Sequence, residues 1–210
     1  MTPIMKFIDI HTHNKSKETA YTIFNCNGEP IDGCVSVGIH PWNVDESWKE
    51  RFQTIKELAK APNVIAIGEC GIDRVHPGAA PELQAEVFRA HIALSEELGK
   101  PLIIHCVKAY DNIIALHKGH KPTQAWIIHG FRGKPQQAEQ LTRAGLYLSF
   151  GEHFNVESAK VIPADKLFIE SDESSLPING IYNSIAEARS ISLEELIQQI
   201  ETNARIFRQF

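Results

Sequence analysis

The 210-residue chain is 43% hydrophobic and 22% charged, with a formal net charge of −5. That length suits one domain with a sizeable core, so residues 1–210 read as a single unit. The composition is ordinary for a globular protein, no apolar run approaches the roughly 18 residues that cross a bilayer, and no basic run provides a general polyanion-binding surface.

Met1 to Ile10 carries an acidic residue and leads straight into a polar motif, unlike a secretory leader. The four cysteines, Cys26, Cys34, Cys70 and Cys106, show no C-x-x-C spacing. A cytoplasmic protein with reduced, structural thiols is expected. Lys6–Ile10 and Tyr21–Asn25 read as the first two strands, separated only by the polar segment Asn14–Thr19, too short for a full helix. Cys34–Ile39 is a third strand. Trp48, Phe52, Ile55 and Ala59 then form an apolar stripe at helical spacing. The strand Val64–Glu69 follows. Leu83, Val87, Ala90, Leu94 and Leu98 make the next helical stripe, opened by Pro81 and closed by Gly99. Strands Leu102–Cys106 and Ala125–His129 come next, then a helix bracketed by Pro135 and Gly145, then strands Leu146–Phe150 and Leu167–Ser171. Ser192 and Glu195 form a capping box for a last helix along Leu193, Leu196, Ile200, Ala204 and Phe207. Continuously apolar strands belong in a parallel sheet covered on both faces. The alternation predicts an α/β fold, a compact (β/α)8 TIM-type barrel with its first helix or loop reduced, or an open relative of one.

The polar residues carry the functional signal. The first strand runs into Asp9-Ile10-His11-Thr12-His13, the third into His40, the fourth into Glu69 and Asp73, the fifth into His105, the sixth into His129, and the last into Glu170-Ser171-Asp172-Glu173. In a parallel barrel all these C-terminal ends surround one mouth. His11 and His13, two apart on an extended segment, point the same way and can pinch one ion. His105 and His129 can hold a second, and Glu69 and Asp172 supply charge, a carboxylate being able to bridge two ions. Two cations about 3.5–4 Å apart would clamp the attacking and leaving oxygens of a displacement and acidify a water. Imidazole and carboxylate donors suit Zn, Mn, Ni or Fe better than Mg alone. His40 and His153 lie at strand ends and could face substrate, as could Asp73. Lys108 and Arg132 could hold a phosphate, which Glu173 would repel. His76, just past Asp73, is left open, and His91, His117 and His120 are expected to be structural or solvated.

The blocks Asp-Ile-His-Thr-His at 9–13, Gly-Ile-His-Pro-Trp at 38–42, Gly-Glu-Cys-Gly-Ile-Asp at 68–73, Pro-Leu-Ile-Ile-His-Cys at 101–106, His-Gly-Phe at 129–131 and Glu-Ser-Asp at 170–172 resemble, in this order, the TatD family of metal-dependent hydrolases. The tail Ile191–Phe207, with Asn203 and Ala204, is similar to that family's closing helix. The resemblance runs nearly end to end. It implies a TIM-type barrel with two divalent ions, one held by His11 and His13, the other by His105 and His129, with Glu69 bridging. Asp172 would bind the first ion and act as general base, so Asp172 and Glu69 are the catalytic candidates. The implied chemistry is phosphodiester hydrolysis on DNA, with a small phosphoester or a nucleic-acid end as substrate. The chain departs from the family at Val107, where an arginine commonly follows His-Cys, and at Arg132, Glu173 and Ser174. An amidase, lactonase or deaminase of the wider superfamily, or a metal-binding barrel without catalysis, are the alternatives.

Overall fold

The computed structural model describes residues 6–15, 21–26, 32–76 and 78–208. Eight strands form one parallel sheet in sequence order: β1 (Asp9–Thr12), β2 (Thr22–Cys26), β3 (Cys34–Val37), β4 (Val64–Asp73), β5 (Leu102–Val107), β6 (Trp126–Ile128), β7 (Tyr147–Phe150) and β8 (Leu167–Ile169). Just past β8, Asp172 pairs with Thr12 in a parallel bridge. Asp172 N–H donates to the His11 carbonyl at 2.9 Å, and His13 N–H donates to the Asp172 carbonyl at 3.2 Å. The ring is thus drawn together at its mouth, where the sequence left a barrel and an open relative both standing.

Helices cover the strands from β3 onward: α1 (Trp48–Leu58), α2 (Pro81–Leu98), α3 (Tyr110–His120), α4 (Pro135–Arg143), α5 (Val156–Val161), α6 (Ile178–Arg189) and α7 (Leu193–Ala204). The β1–β2 connection shows no α-helix among the described residues, and of Asn14–Thr19 only Asn14 and Lys15 are described. The β2–β3 connection, residues 27–33, is also shorter than the dozen or so usual between parallel strands, a second reduction that sequence reading did not single out. No helix among the described residues is long and apolar enough to cross a membrane.

Two elements differ from expectation for identifiable reasons. β1 starts at Asp9 rather than Lys6 because the Tyr182 hydroxyl satisfies the backbone of Ile8. It accepts from Ile8 N–H at 3.1 Å and donates to the Ile8 carbonyl at 2.8 Å. On α2, Leu83, Ala90 and Leu98 are only half-buried, while Gln84 and His91 turn inward. Gln84 accepts from Asp73 N–H at 2.8 Å and donates to the Asp73 and Ala79 carbonyls at 3.1 and 2.8 Å. His91 Nε2 accepts from Ile39 N–H at 3.0 Å, so Nδ1 is the nitrogen that donates to the Val87 carbonyl at 2.8 Å. Buried polar groups are tolerable when paired in this way, and these two fasten α2 to the ends of β4 and β3. Pro81, Gly99 and the Ser192–Glu195 box delimit α2 and α7 as their sequence predicts.

Candidate metal centre

β4 is buried along all ten residues and carries Glu69 into the mouth. Glycine on both sides makes this possible. A Cβ on Gly68 would collide with the Ile103 carbonyl, and one on Gly71 with the His105 carbonyl. Their φ angles of 148° and 149° are ones that L side chains rarely adopt. The ladder to β5 shifts register between Ile67 and Cys70, the stretch that contains Glu69.

Glu69, 3% exposed, sits among five imidazoles. Its Oε2 lies 3.4 Å from His11 Nε2 and 3.2 Å from His13 Nε2. Its Oε1 lies 2.7 Å from His105 Nδ1, 2.7 Å from His129 Nε2 and 3.1 Å from His40 Nε2. Asp172 Oδ1 is 3.9 Å from His11 Nε2 and 3.7 Å from His13 Nε2. The six residues singled out as ligands therefore converge. His40, expected to face substrate, stands in the same ring.

A further layer aims these rings. Asp73 is buried; its Oδ2 is 3.0 Å from His105 Nε2 and accepts from Trp42 Nε1 at 2.7 Å. With Nε2 engaged by Asp73, Nδ1 is the nitrogen that His105 presents to Glu69. Glu170 Oε1 accepts from Gly130 N–H at 2.6 Å and lies 3.4 Å from His129 Nδ1, so His129 presents Nε2. Asp9 Oδ2 accepts from the Ser171 hydroxyl at 2.6 Å and Oδ1 from Ser171 N–H at 2.9 Å, tying β1 to β8. Trp42 and Glu170 were not picked out as site residues from sequence, although both lie inside the quoted motif blocks.

The electrostatics follow from this packing. Burial pushes Asp9 up to about 7 against its Ser171 hydrogen bonds. Burial also opposes ionisation of Glu69, yet the His129 charge and the close imidazoles of His105, His11 and His129 hold its carboxyl well below the usual range. His129 is the mirror case: burial favours the neutral ring, but Glu69 and Glu170 raise it well above an ordinary histidine. His13 is raised, chiefly by its hydrogen bond to Glu69, and His40 is lowered by burial. The neighbouring thiols play no ionic part, since burial raises Cys70 and pushes Cys106 up to about 12.

The donor set fits divalent cations. His11 is fully buried with a hydrogen-bond partner at neither ring nitrogen, a cost that a ligand at Nε2 would relieve. The sets His11–His13–Glu69, His11–His129–Asp172 and His40–Glu69–His105 each bring ligand atoms within 4.8 Å of one another. The first and third share only Glu69, which gives room for two ions about one carboxylate.

A cavity of about 790 Å³ opens above Glu69. Lys108 and Arg132 lie exposed on its wall with Glu173. His153 is exposed in a neighbouring cavity of about 270 Å³, beside β7 and β8. Trp42, half exposed, lines the larger cavity, and its ring stacks on His76 at 4.4 Å and 17°. His117 packs edge-on against Trp126, and His120 is exposed.

A family model described as TatD related DNase matches residues 4–208. The chain belongs to the TatD family. It is 30% identical over 197 residues to a "3'-5' ssDNA/RNA exonuclease TatD" of Erwinia amylovora, covering 81% of this chain and 76% of that one. It is 32% identical over 195 residues to the "Uncharacterized metal-dependent hydrolase YabD" of Bacillus subtilis, covering 82% and 76%. A TatD exonuclease of Erwinia tasmaniensis is 34% identical over 152 residues, or 67% of this chain, and the match spans only 58% of that relative's length. Among solved structures, the TatD homologue YJJV of Escherichia coli superposes with a TM-score of 0.72 at 21% identity, covering 83% of this chain and 76% of that one. A TatD-family hydrolase of Entamoeba histolytica gives 0.76 at 16% identity, covering 97% and 98%. At those identities the likeness establishes the barrel alone; the TatD family assignment rests on sequence.

Proposed function

We propose that this TatD-family chain is a divalent-metal-dependent hydrolase of phosphoester bonds, with the end of a nucleic-acid strand as substrate. The observation that carries the reading is Glu69, one carboxylate offering an oxygen to the His11–His13 pair and the other to the His40–His105–His129 group. His11, His13 and Asp172 would hold one ion and His105 and His129 the other, with Glu69 between the two sets. Two ions held there would supply positive charge for the oxygens of an in-line displacement and lower the pKa of the attacking water. Asp172 Oδ1 would accept a proton from the attacking water. It is suited to the task because its side chain is 24% exposed to the cavity while its backbone, at φ 49°, is locked by the Thr12 bridge. Lys108 and Arg132 attract the phosphate, and Trp42 offers a flat face for a base, which favours a nucleotide over a simple ester. The Erwinia relative's name, that of an exonuclease, points the same way, and the Bacillus relative's name supports a metal-dependent hydrolase.

The test is turnover of bis-p-nitrophenyl phosphate with Mn²⁺ or Zn²⁺. Asp172→Asn should lower kcat by about 10²–10⁴-fold, the usual worth of a general base. Faster turnover of amide or lactone panels than of the phosphodiester would reject the phosphoester reading.

A further inference from the structure

The His129 ring stands between two carboxylates, Glu69 at Nε2 and Glu170 at Nδ1. Glu170 follows β8, next to β1, and is fully buried. Its Oε1 accepts from Gly130 N–H and lies 3.4 Å from His129 Nδ1, whereas Oε2 is buried with no hydrogen-bond partner among the described residues. His11 Nδ1 and Ser149 Oγ are buried and unpartnered in the same way. Each such group left unpaired costs about 1–3 kcal/mol. The three belong to one neighbourhood. The His11 and His129 ring centroids are 4.4 Å apart, and the Thr12–Asp172 bridge joins their strand ends. Burial opposes ionisation of Glu170, yet His129, His11 and Ser149 hold its carboxyl below the usual range, so all three act on it at close quarters.

A neutral imidazole binds a cation through a bare nitrogen, so its proton sits on the other one. His11 turns Nε2 toward Glu69 Oε2 and Asp172 Oδ1, which assigns the proton to Nδ1. Metal-binding rings ordinarily give that second N–H to a carboxylate, a carbonyl or water. His105 Nε2 has Asp73, His129 Nδ1 has Glu170, and the His13 side chain, 31% exposed, reaches solvent. His11 is fully buried and needs an acceptor inside the protein. Asp9 is also buried on this side, but both its oxygens already accept, from His11 N–H, Ser171 N–H and the Ser171 hydroxyl. Glu170 Oε2 has the lone pairs that Asp9 lacks.

We infer that Glu170 is a positioning residue shared by the two ion sites, with Oε1 fixing His129 and Oε2 fixing His11, each in the tautomer that presents Nε2. The inference rests on the ligand assignment proposed above. The hydrogen bond from His11 Nδ1 to Oε2 is made directly once the ring engages an ion, or across one water that Ser149 Oγ also holds, and both routes demand the same tautomer. Glu69 thus links the two ligand sets on the cavity side, and Glu170 links a ring of each set from behind. Asp73, by contrast, serves only the His105 ring among the proposed ligands.

The test uses the full chain, isotope-labelled at the histidine ring nitrogens and loaded with Zn²⁺, with tautomers read by long-range proton–nitrogen NMR. His11 and His129 should both carry the proton on Nδ1 and exchange it slowly with solvent, and His105 should carry it on Nε2. Glu170→Gln leaves one acceptor oxygen for two rings, so one of the two slow Nδ1 protons should be lost. In a competition titration Glu170→Ala should weaken both ions by about 10–100-fold, whereas Asp73→Asn should weaken one. A Zn²⁺-loaded native chain with His11 protonated on Nε2 overturns the inference without any variant. So does a Glu170→Ala chain, native by circular dichroism, that holds either ion at native affinity. A native chain that takes up no Zn²⁺ overturns the inference and the metal reading together. Slow Nδ1 protons on both rings, in a chain that leaves bis-p-nitrophenyl phosphate intact, support the inference and overturn the hydrolase reading instead.

Discussion

Glu69 and Lys134 line one cavity under opposite physical regimes. Glu69 is buried, flanked by glycines that let β4 press on β5, and contacted by five imidazoles, of which His105, His129 and His40 are aimed by Asp73, Glu170 and the Trp42 backbone. Lys134 stands in solvent at the start of α4 with no ion pair among the described residues. The floor is built from strand ends, whose positions are fixed by the hydrogen-bonded ladder, so its geometry is pre-organised for chemistry. The lip is built from loops, where a side chain can change with little effect on the fold and can therefore set what is bound. Floor residues should then couple stability, metal and activity, and lip residues should alter substrate choice.

The comparison breaks most visibly at Gly71. Gly71→Ala puts a methyl group against the His105 carbonyl, and β4 and β5 must part to admit it. A loss of about 3 kcal/mol or more in urea unfolding is expected, at the upper end for overpacking. A loss below 1 kcal/mol would mean that the floor is softer than this account allows.

His91 tests how firmly the β3 end is held. Burial lowers its pKa from 6.5 to about 4, so the unfolded chain accepts a proton that the folded chain refuses. Stability from this group is complete above pH 6.5 and is lost as pH falls through 4, by up to about 3 kcal/mol. His91→Gln keeps a donor and an acceptor but does not titrate. Its unfolding free energy should fall less steeply than that of the native chain between pH 7 and 4.5, and parallel curves would contradict the assignment. Asp73→Asn should have a smaller effect. It leaves the fold in place, weakens the hold on His105, and should lower metal affinity by about 10–100-fold in a competition titration.

The same division explains what could be read from sequence. The floor was legible because strands have a strict period and a parallel barrel collects their C-terminal ends, so His11, His13, Glu69, His105, His129 and Asp172 could be gathered without coordinates. The place of His40 within the imidazole ring was not legible, because its distance from Glu69 depends on how closely Gly38 lets the end of β3 pack on Gly68 and Glu69 of β4. Close packing on the other side, where Gly68 and Gly71 meet β5, accompanies a β4 that runs on to Asp73, where sequence reading ended the strand at Glu69. Asp73 looked like a substrate group because polarity at a strand end carries no sign of depth. Its burial under Trp42 and beside His105 is a tertiary fact. On α2, apolar periodicity named half the inward face and passed over Gln84 and His91, whose inward direction is paid for by backbone partners distant in sequence.

Metal content is the most direct check on the shared role of Glu69. After equilibration with excess Zn²⁺ or Mn²⁺ and removal of free ion, the native chain should retain two ions and His129→Ala one. A native chain that retains none, or a His129→Ala chain with the native count, would contradict the account.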